Sequence, residues 1–404
     1  MKRYFYLLLF STISLFSTAQ SSTELADFYY QKAFELHRKG NLNQAIRYYS
    51  LALDNHPNHL KSLYNRGVVY LKNRKYAQAE IDFAKIIRIT PNDHETLEHL
   101  ANAKFYQKNY ADAVQIYDRL LVFKPNDNLY SNRGLAKSRM NEPEAAIVDY
   151  NHAIERNPYD NDYYANRGDA YTQLKRYDQA LQSYNQAAQL NPYDAYVYNN
   201  RGNVKTQQKA YEEAVVDYNT AINIQQESQF YTNRAFSMLQ LNRYAEAITD
   251  ARYALQLEAN NANAYYALGL AHLRLQEFSQ AVPYFDQAIQ LQPNDSEFYR
   301  DRALAHYYLG NYDYAINDCE QSINIYSEDY SVIHVLESAK QALRQQQMSQ
   351  PQPQPRNNYS QEKGYPSYSQ PQTRSYQNTP RYKQVAYRYT TSQLEEFNRN
   401  YIQF

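Results

Sequence analysis

Arginine, aspartate and asparagine recur along this chain at fixed intervals. The triplet Asn-Arg-Gly is written four times, at Asn65-Arg66-Gly67, Asn132-Arg133-Gly134, Asn166-Arg167-Gly168 and Asn200-Arg201-Gly202. Arg234 and Arg302 keep the same register. Sixteen residues after five of these six arginines stands an aspartate: Asp82, Asp149, Asp217, Asp250 and Asp318. Arg167 is the exception, with Ser183 at that place. A planar guanidinium and a carboxylate make a forked, charge-assisted pair. An asparagine side chain carries one acceptor and one donor group, the pattern of a peptide unit. The chemistry in these residues is ion pairing and amide recognition.

Residues suited to bond making are scattered by comparison. The nine histidines, at 37, 56, 59, 94, 99, 152, 272, 306 and 334, share no catalytic spacing. His56 and His59 are close, but no third metal ligand stands near them in sequence. Cys319 is the single cysteine, which leaves no intramolecular disulfide and no cysteine-based metal site. There is no phosphate-binding loop, no GxSxG and no HExxH. We expect no catalytic residues, no metal and no cofactor. Lys+Arg and Asp+Glu both number 42, so net charge makes no case for nucleic acid.

The elements that carry these residues repeat. Pro57, Pro91, Pro125, Pro158 and Pro192 follow one another at 33 or 34 residues, and Pro293 rejoins the series. An alanine keeps the same interval through Ala45, Ala79, Ala113, Ala146, Ala180, Ala214, Ala247, Ala281 and Ala315. An aromatic residue stands four places after most of these: Tyr49, Phe83, Tyr117, Tyr150, Tyr184, Tyr218 and Phe285. A small residue recurs at Gly67, Ala101, Gly134, Gly168, Gly202, Ala235, Gly269 and Ala303.

This pattern resembles the tetratricopeptide repeat, with its small residue at position 8, alanine at 20, aromatic at 24 and proline at 32. Nine units fit, over residues 26–329. The resemblance implies an all-α, right-handed α-solenoid of nine helix-turn-helix units. Each unit has two amphipathic helices, A and B, and buries its apolar face by stacking on its neighbours. Proline ends helix B, where its ring and missing N–H would break a turn. Residues 330–347 read as a capping helix over the last unit.

With the nine units aligned on themselves, arginine falls at position 7 and its aspartate at position 23. The three units without the arginine, with Lys32, Leu100 and Leu268, have Tyr48, Ile116 and Tyr284 there. Pairing each arginine with the preceding unit's position 23 would meet an aspartate in only two of six cases. We therefore expect structural ion pairs within a repeat: Arg66–Asp82, Arg133–Asp149, Arg201–Asp217, Arg234–Asp250 and Arg302–Asp318. The glycine makes room where helix A crosses the aromatic residue of helix B.

Position 6 faces the concave side in the family the chain resembles. Here it carries Asn65, Asn132, Asn166, Asn200 and Asn233. The series is similar to the asparagine ladder of the O-GlcNAc transferase superhelix. It implies binding of an extended peptide, aided by Asn128, Asn199, Asn203 and Asp169 on the same side. The carboxylate clamp of chaperone-binding repeats is present only in fragments, such as Lys61 with Asn65.

The two ends read differently. Lys2 and Arg3 precede an apolar run at 4–16, and small residues precede Gln20. Residues 1–19 are expected to be a signal peptide cleaved after Ala19, which sends the protein to a Gram-negative periplasm or cell envelope. Cleavage before glutamine is similar to that of Bacteroidota exports. Residues 348–404 are rich in Gln, Pro, Tyr and Ser and are expected to be a disordered tail. The tail has seven basic residues to three acidic ones, whereas the repeats and cap have 33 to 38. Folding back into the groove, or hooking a partner, would suit that contrast. The expected function is a scaffold for a protein or peptide partner in a cell-envelope assembly. The alternatives are a periplasmic chaperone or secretion and outer-membrane assembly factor, and a regulatory module for a separate enzyme.

Overall fold

The computed structural model describes residues 22–327 and 330–349. The expected signal peptide and all but the first two residues of the expected tail lie outside them. The described residues form nineteen helices. They are α1 (22–38), α2 (Leu42–Asn55), α3 (Leu60–Lys72), α4 (Tyr76–Ile89), α5 (His94–Tyr106), α6 (Tyr110–Phe123) and α7 (Asp127–Arg139). Next come α8 (Pro143–Arg156), α9 (Asn161–Gln173), α10 (Tyr177–Leu190), α11 (Ala195–Gln207), α12 (Tyr211–Ile224) and α13 (Ser228–Gln240). The last are α14 (Tyr244–Leu257), α15 (Ala262–Arg274), α16 (Phe278–Leu291), α17 (Ser296–Tyr308), α18 (Tyr312–Ile325) and α19 (Tyr330–Ser349). The chain divides into two compact units at Leu241 and Asn242. The first holds α1–α13 and the second α14–α19, so repeat seven contributes helix A to one unit and helix B to the other.

Local signals place the helix ends. Asp93, Asn126, Asp160, Asp194, Asn261 and Asp295 each accept a backbone N–H of the first turn, so helices α5, α7, α9, α11, α15 and α17 start capped. Pro57, Pro91, Pro125, Pro158, Pro192 and Pro293 all lie between a helix B and the next helix A. Pro283 departs from that use: it sits inside α16, where it cannot supply the N–H that Ser279 would otherwise accept. The turn from A to B passes through a left-handed residue in every repeat. Gly40 and Gly310 take φ of 78° and 76°. Arg74, Lys108, Asn141, Lys175, Lys209, Asn242 and Gln276 take 56–65°, in a region that costs a side-chain-bearing residue about 1 kcal/mol or more.

Packing follows the period. The alanine at position 20 is fully buried in all nine repeats, which lets helix B lie close against its neighbours. The glycines at position 8 meet the aromatic edge of the same repeat. A Cβ on Gly168 would stand 2.7 Å from Tyr184 Cε1, and on Gly269 2.5 Å from Phe285 Cε1. Repeat nine resolves the same crossing differently, with Ala303 against the smaller, fully buried Cys319. Val332 and Leu336 of α19 close over that pair, so α19 covers the face that repeat nine would otherwise expose.

Candidate peptide-binding face and its ion-pair frame

The arginines of helix A form a frame. Arg66 on α3 donates Nε and Nη2 to the two carboxylate oxygens of Asp82 on α4, at 2.8 and 2.7 Å. Arg201 and Arg302 make the same fork with Asp217, at 2.9 and 2.5 Å, and with Asp318, at 2.8 and 2.7 Å. Arg133 does so with Asp149. Lys137 and Lys205, one turn along helix A, bring a second ammonium to Asp149 and Asp217 at 2.8 and 2.9 Å. These aspartates are buried. Arg234 and Asp250 belong to different units, and Asp250 is buried.

A third guanidinium nitrogen reaches backwards, which the sequence reading missed. Nη1 donates to helix B of the preceding repeat: Arg66 to Ser50, Arg133 to Asp118, Arg167 to Asn151, Arg201 to Asn185, Arg234 to Asn219 and Arg302 to Asp286, at 2.6–2.9 Å. All six acceptors occupy position 25. Where the next repeat has leucine in place of arginine, position 25 is Ala84 or Arg252, neither of which offers a side-chain acceptor. That covariation was the available signal. Each arginine thus joins two repeats through one planar group, and it also lies over a tyrosine ring: Tyr70, Tyr130, Tyr164, Tyr198, Tyr231 or Tyr299.

Arg167 differs. Nε donates to Ser183 Oγ at 3.2 Å, Nη1 to Asn151 at 2.8 Å, and no carboxylate of the described residues is bonded to it. Burial lowers its pKa. For Arg66, Arg133, Arg201 and Arg302, burial acts in the same downward sense, but the paired carboxylates outweigh it and the net shift is upward.

The asparagines divide into two groups. Asn132 and Asn166 are half-buried, and their side chains make no hydrogen bond among the described residues. Asn65 donates to Lys61 O within its own helix. Asn200 and Asn233 are tied into a chain. Asn233 donates to Asn199 at 2.9 Å, Asn199 to Asn200 at 3.1 Å, and Asn200 to Asp169 at 3.1 Å; Tyr184 closes the chain with a 2.5 Å bond to Asp169. Asn199 is buried. Asn203 accepts from Tyr218 at 2.8 Å, and Asn128 from Tyr163 at 3.2 Å. Asp169 and Asn203 therefore hold the hydroxyls of their own repeats' position-24 tyrosines, as Asn102 holds that of Tyr117. Burial raises the Asp169 pKa, against the opposing bonds from Tyr184 and Asn200.

Beside this chain lies a cavity of about 540 Å³. Helices α9, α11 and α13 all line it, so it opens on the face shared by three successive A helices. Its lining offers amides from Gln173, Asn203, Gln207 and Asn233, hydroxyls from Thr172, Thr206 and Tyr218, the rings of Tyr177 and Phe236, and one charge, Lys175. Elsewhere, His59 is bonded to Ser62 and Asp27.

The fold defines a class. Tetratricopeptide repeat profiles match residues 30–94, 128–160, 195–228 and 262–295, and a further TPR repeat profile matches 168–208. The chain belongs to the tetratricopeptide repeat family. It is similar to human tetratricopeptide repeat protein 13, with 25% identity over 132 residues, 31% of this chain and 15% of the human protein. Among solved structures, the APC/C hetero-tetramer Cut9–Hcn1 has a chain that aligns at a TM-score of 0.52 and 17% identity, covering 74% of this chain and 59% of that one. A tetratricopeptide repeat protein from Parabacteroides merdae aligns at a TM-score of 0.50 and 20% identity, over 61% of this chain and 98% of its own. At these identities the likeness to the solved structures is one of fold.

Proposed function

We propose that the A-helix face of repeats four to seven holds an extended segment of a partner protein, and that the protein is an exported scaffold of a cell-envelope assembly. One observation carries the binding reading. Asn132 and Asn166, one repeat apart at the same register, keep amide donor and acceptor unclaimed among the described residues. Paired donors and acceptors at a repeat's spacing suit a peptide backbone, whose own groups need partners when it leaves water. The amide- and hydroxyl-lined cavity further along takes one side chain of such a segment. Export rests on the basic, apolar and small-residue order of residues 1–19.

The test is a crosslinking pull-down from the cell envelope with the full chain and with Asn132→Ala/Asn166→Ala. Loss of two doubly bonded amides lowers partner affinity about tenfold or more, with melting temperature unchanged. Equal recovery by both proteins refutes the binding face. Recovery of many unfolded clients in place of one stoichiometric partner assigns the protein to the chaperone class. A mature N-terminus other than Gln20 refutes the expected processing.

A further inference from the structure

The frame of arginines has one incomplete member. Among the five arginines whose repeat lies within a single unit, Arg66, Arg133, Arg201 and Arg302 each face a buried carboxylate. Arg167 faces Ser183, which is itself buried. Its contact to the preceding repeat is neutral too, to Asn151, whereas Arg133 and Arg302 find Asp118 and Asp286 there. Asp169 stands two residues away in sequence but is bonded to Tyr184 and Asn200. Tyr171 occupies the place from which Lys137 and Lys205 reach their aspartates.

The geometry at this position has two consequences. Arg167 Nη2, the nitrogen that donates to aspartate in the other repeats, makes no hydrogen bond among the described residues and is not sealed from solvent. Ser183 also carries two fewer side-chain heavy atoms than the aspartate of the other repeats, so its own side chain does not fill the carboxylate position beside that nitrogen. A half-buried guanidinium without counter-charge favours an anion, because the desolvated cation has lost water that only an acceptor replaces.

We propose that repeat five contains a binding site for a small monovalent anion, chloride or a formate-sized carboxylate, held by Arg167 Nη2 and the Ser183 hydroxyl in the place the aspartate carboxylate takes elsewhere. The burial of Ser183 limits such a site to a small ion rather than a peptide segment. Bound there, the anion completes the inter-helix frame between α9 and α10. The site is independent of the proposed peptide face.

The experiment compares thermal melts of the full chain in sodium chloride, sodium formate and sodium gluconate at equal ionic strength, with chlorine NMR line width as a direct readout. The melting temperature rises by about 1–3 °C in chloride or formate relative to gluconate, the shift given by binding to the native state alone. Chloride resonance broadens in the presence of the protein. A response to chloride alone identifies a halide site, and one to formate alone a carboxylate site. Ser183→Asp supplies the missing carboxylate as four other repeats do; it melts above the wild type in gluconate and loses both the anion response and the broadening. Arg167→Gln, which removes the cation, loses the broadening as well. Coincident wild-type melts without broadening, or broadening that persists in both variants, overturns the proposal.

Discussion

Asp217→Asn probes the frame where it is most heavily used. Asp217 is 2% exposed and accepts Arg201 Nε at 2.9 Å, Arg201 Nη2 at 2.5 Å and Lys205 Nζ at 2.9 Å. Asparagine preserves shape but removes the negative charge, and its amide group turns a donor toward three donors. Removing one partner of a buried pair costs about 3–5 kcal/mol, because the other charge is stranded. Here two cations are stranded, yet both retain some relief. The Arg201 side chain is 17% exposed, keeps its bond to Asn185 at 2.9 Å and lies over Tyr198; Lys205 has Glu213 at 3.9 Å. Discounting for that solvation gives an expected loss of about 2–4 kcal/mol. A repeat array opens locally, so the loss reads most directly as lowered hydrogen-exchange protection in α11 and α12, accompanied by a lower melting temperature. Adding Arg201→Gln recovers part of the loss, since the stranded guanidinium is then gone. Unchanged protection and melting in Asp217→Asn would refute the reasoning that the pair is a buried, charge-balanced unit.

Gly269→Ala places a methyl 2.5 Å from Phe285 Cε1, and the required ring displacement outweighs the gain in helix propensity, for a net loss of about 1–2 kcal/mol by thermal melt. A variant as stable as the wild type would show the crossing to be loose. Lys209→Gly relieves a side-chain-bearing residue at φ 62° and raises stability by up to about 1 kcal/mol; a lower melting temperature would contradict the strain assigned to these turns. Asp169 has a folded pKa raised above 3.8 by burial, so the folded state holds its proton more tightly than the unfolded one. Its contribution is full below pH 3.8 and is lost as pH rises through the folded value. Asp169→Asn removes that dependence, and urea titrations across the window upward from pH 3.8 then show a flatter pH profile than the wild type. Equal slopes would place the titration elsewhere.

The legible part of this protein was the part its own repetition made visible. Nine near-copies act as an alignment, so the period, the two helices of each repeat and the Gly168–Tyr184 type of crossing could be read directly. The sixteen-residue interval from arginine to aspartate belongs to the same class, because it spans one helical hairpin whose geometry is nearly constant. The choice of residue at the A-to-B turn was less legible. Seven of nine repeats put a side-chain-bearing residue in the left-handed region there, since the tertiary packing of two helices outweighs the local cost.

The sequence by itself determined the repeat unit, because short-range periodicity and buried volume leave one way for each hairpin to close. Tertiary structure decided what passes between repeats: the backward reach of each arginine to position 25, the chain from Asn233 through Asn199 and Asn200 to Asp169, and which asparagines stay unclaimed. Those contacts depend on how one hairpin is set against the next, which brings Asn200 within 3.1 Å of Asp169. Asn132, Asn166, Asn200 and Asn233 are equivalent in sequence register; the two bonded to a neighbouring repeat meet Asp169 and Asn199 of the preceding one, and where Asn200 finds Asp169, Asn166 has Leu135.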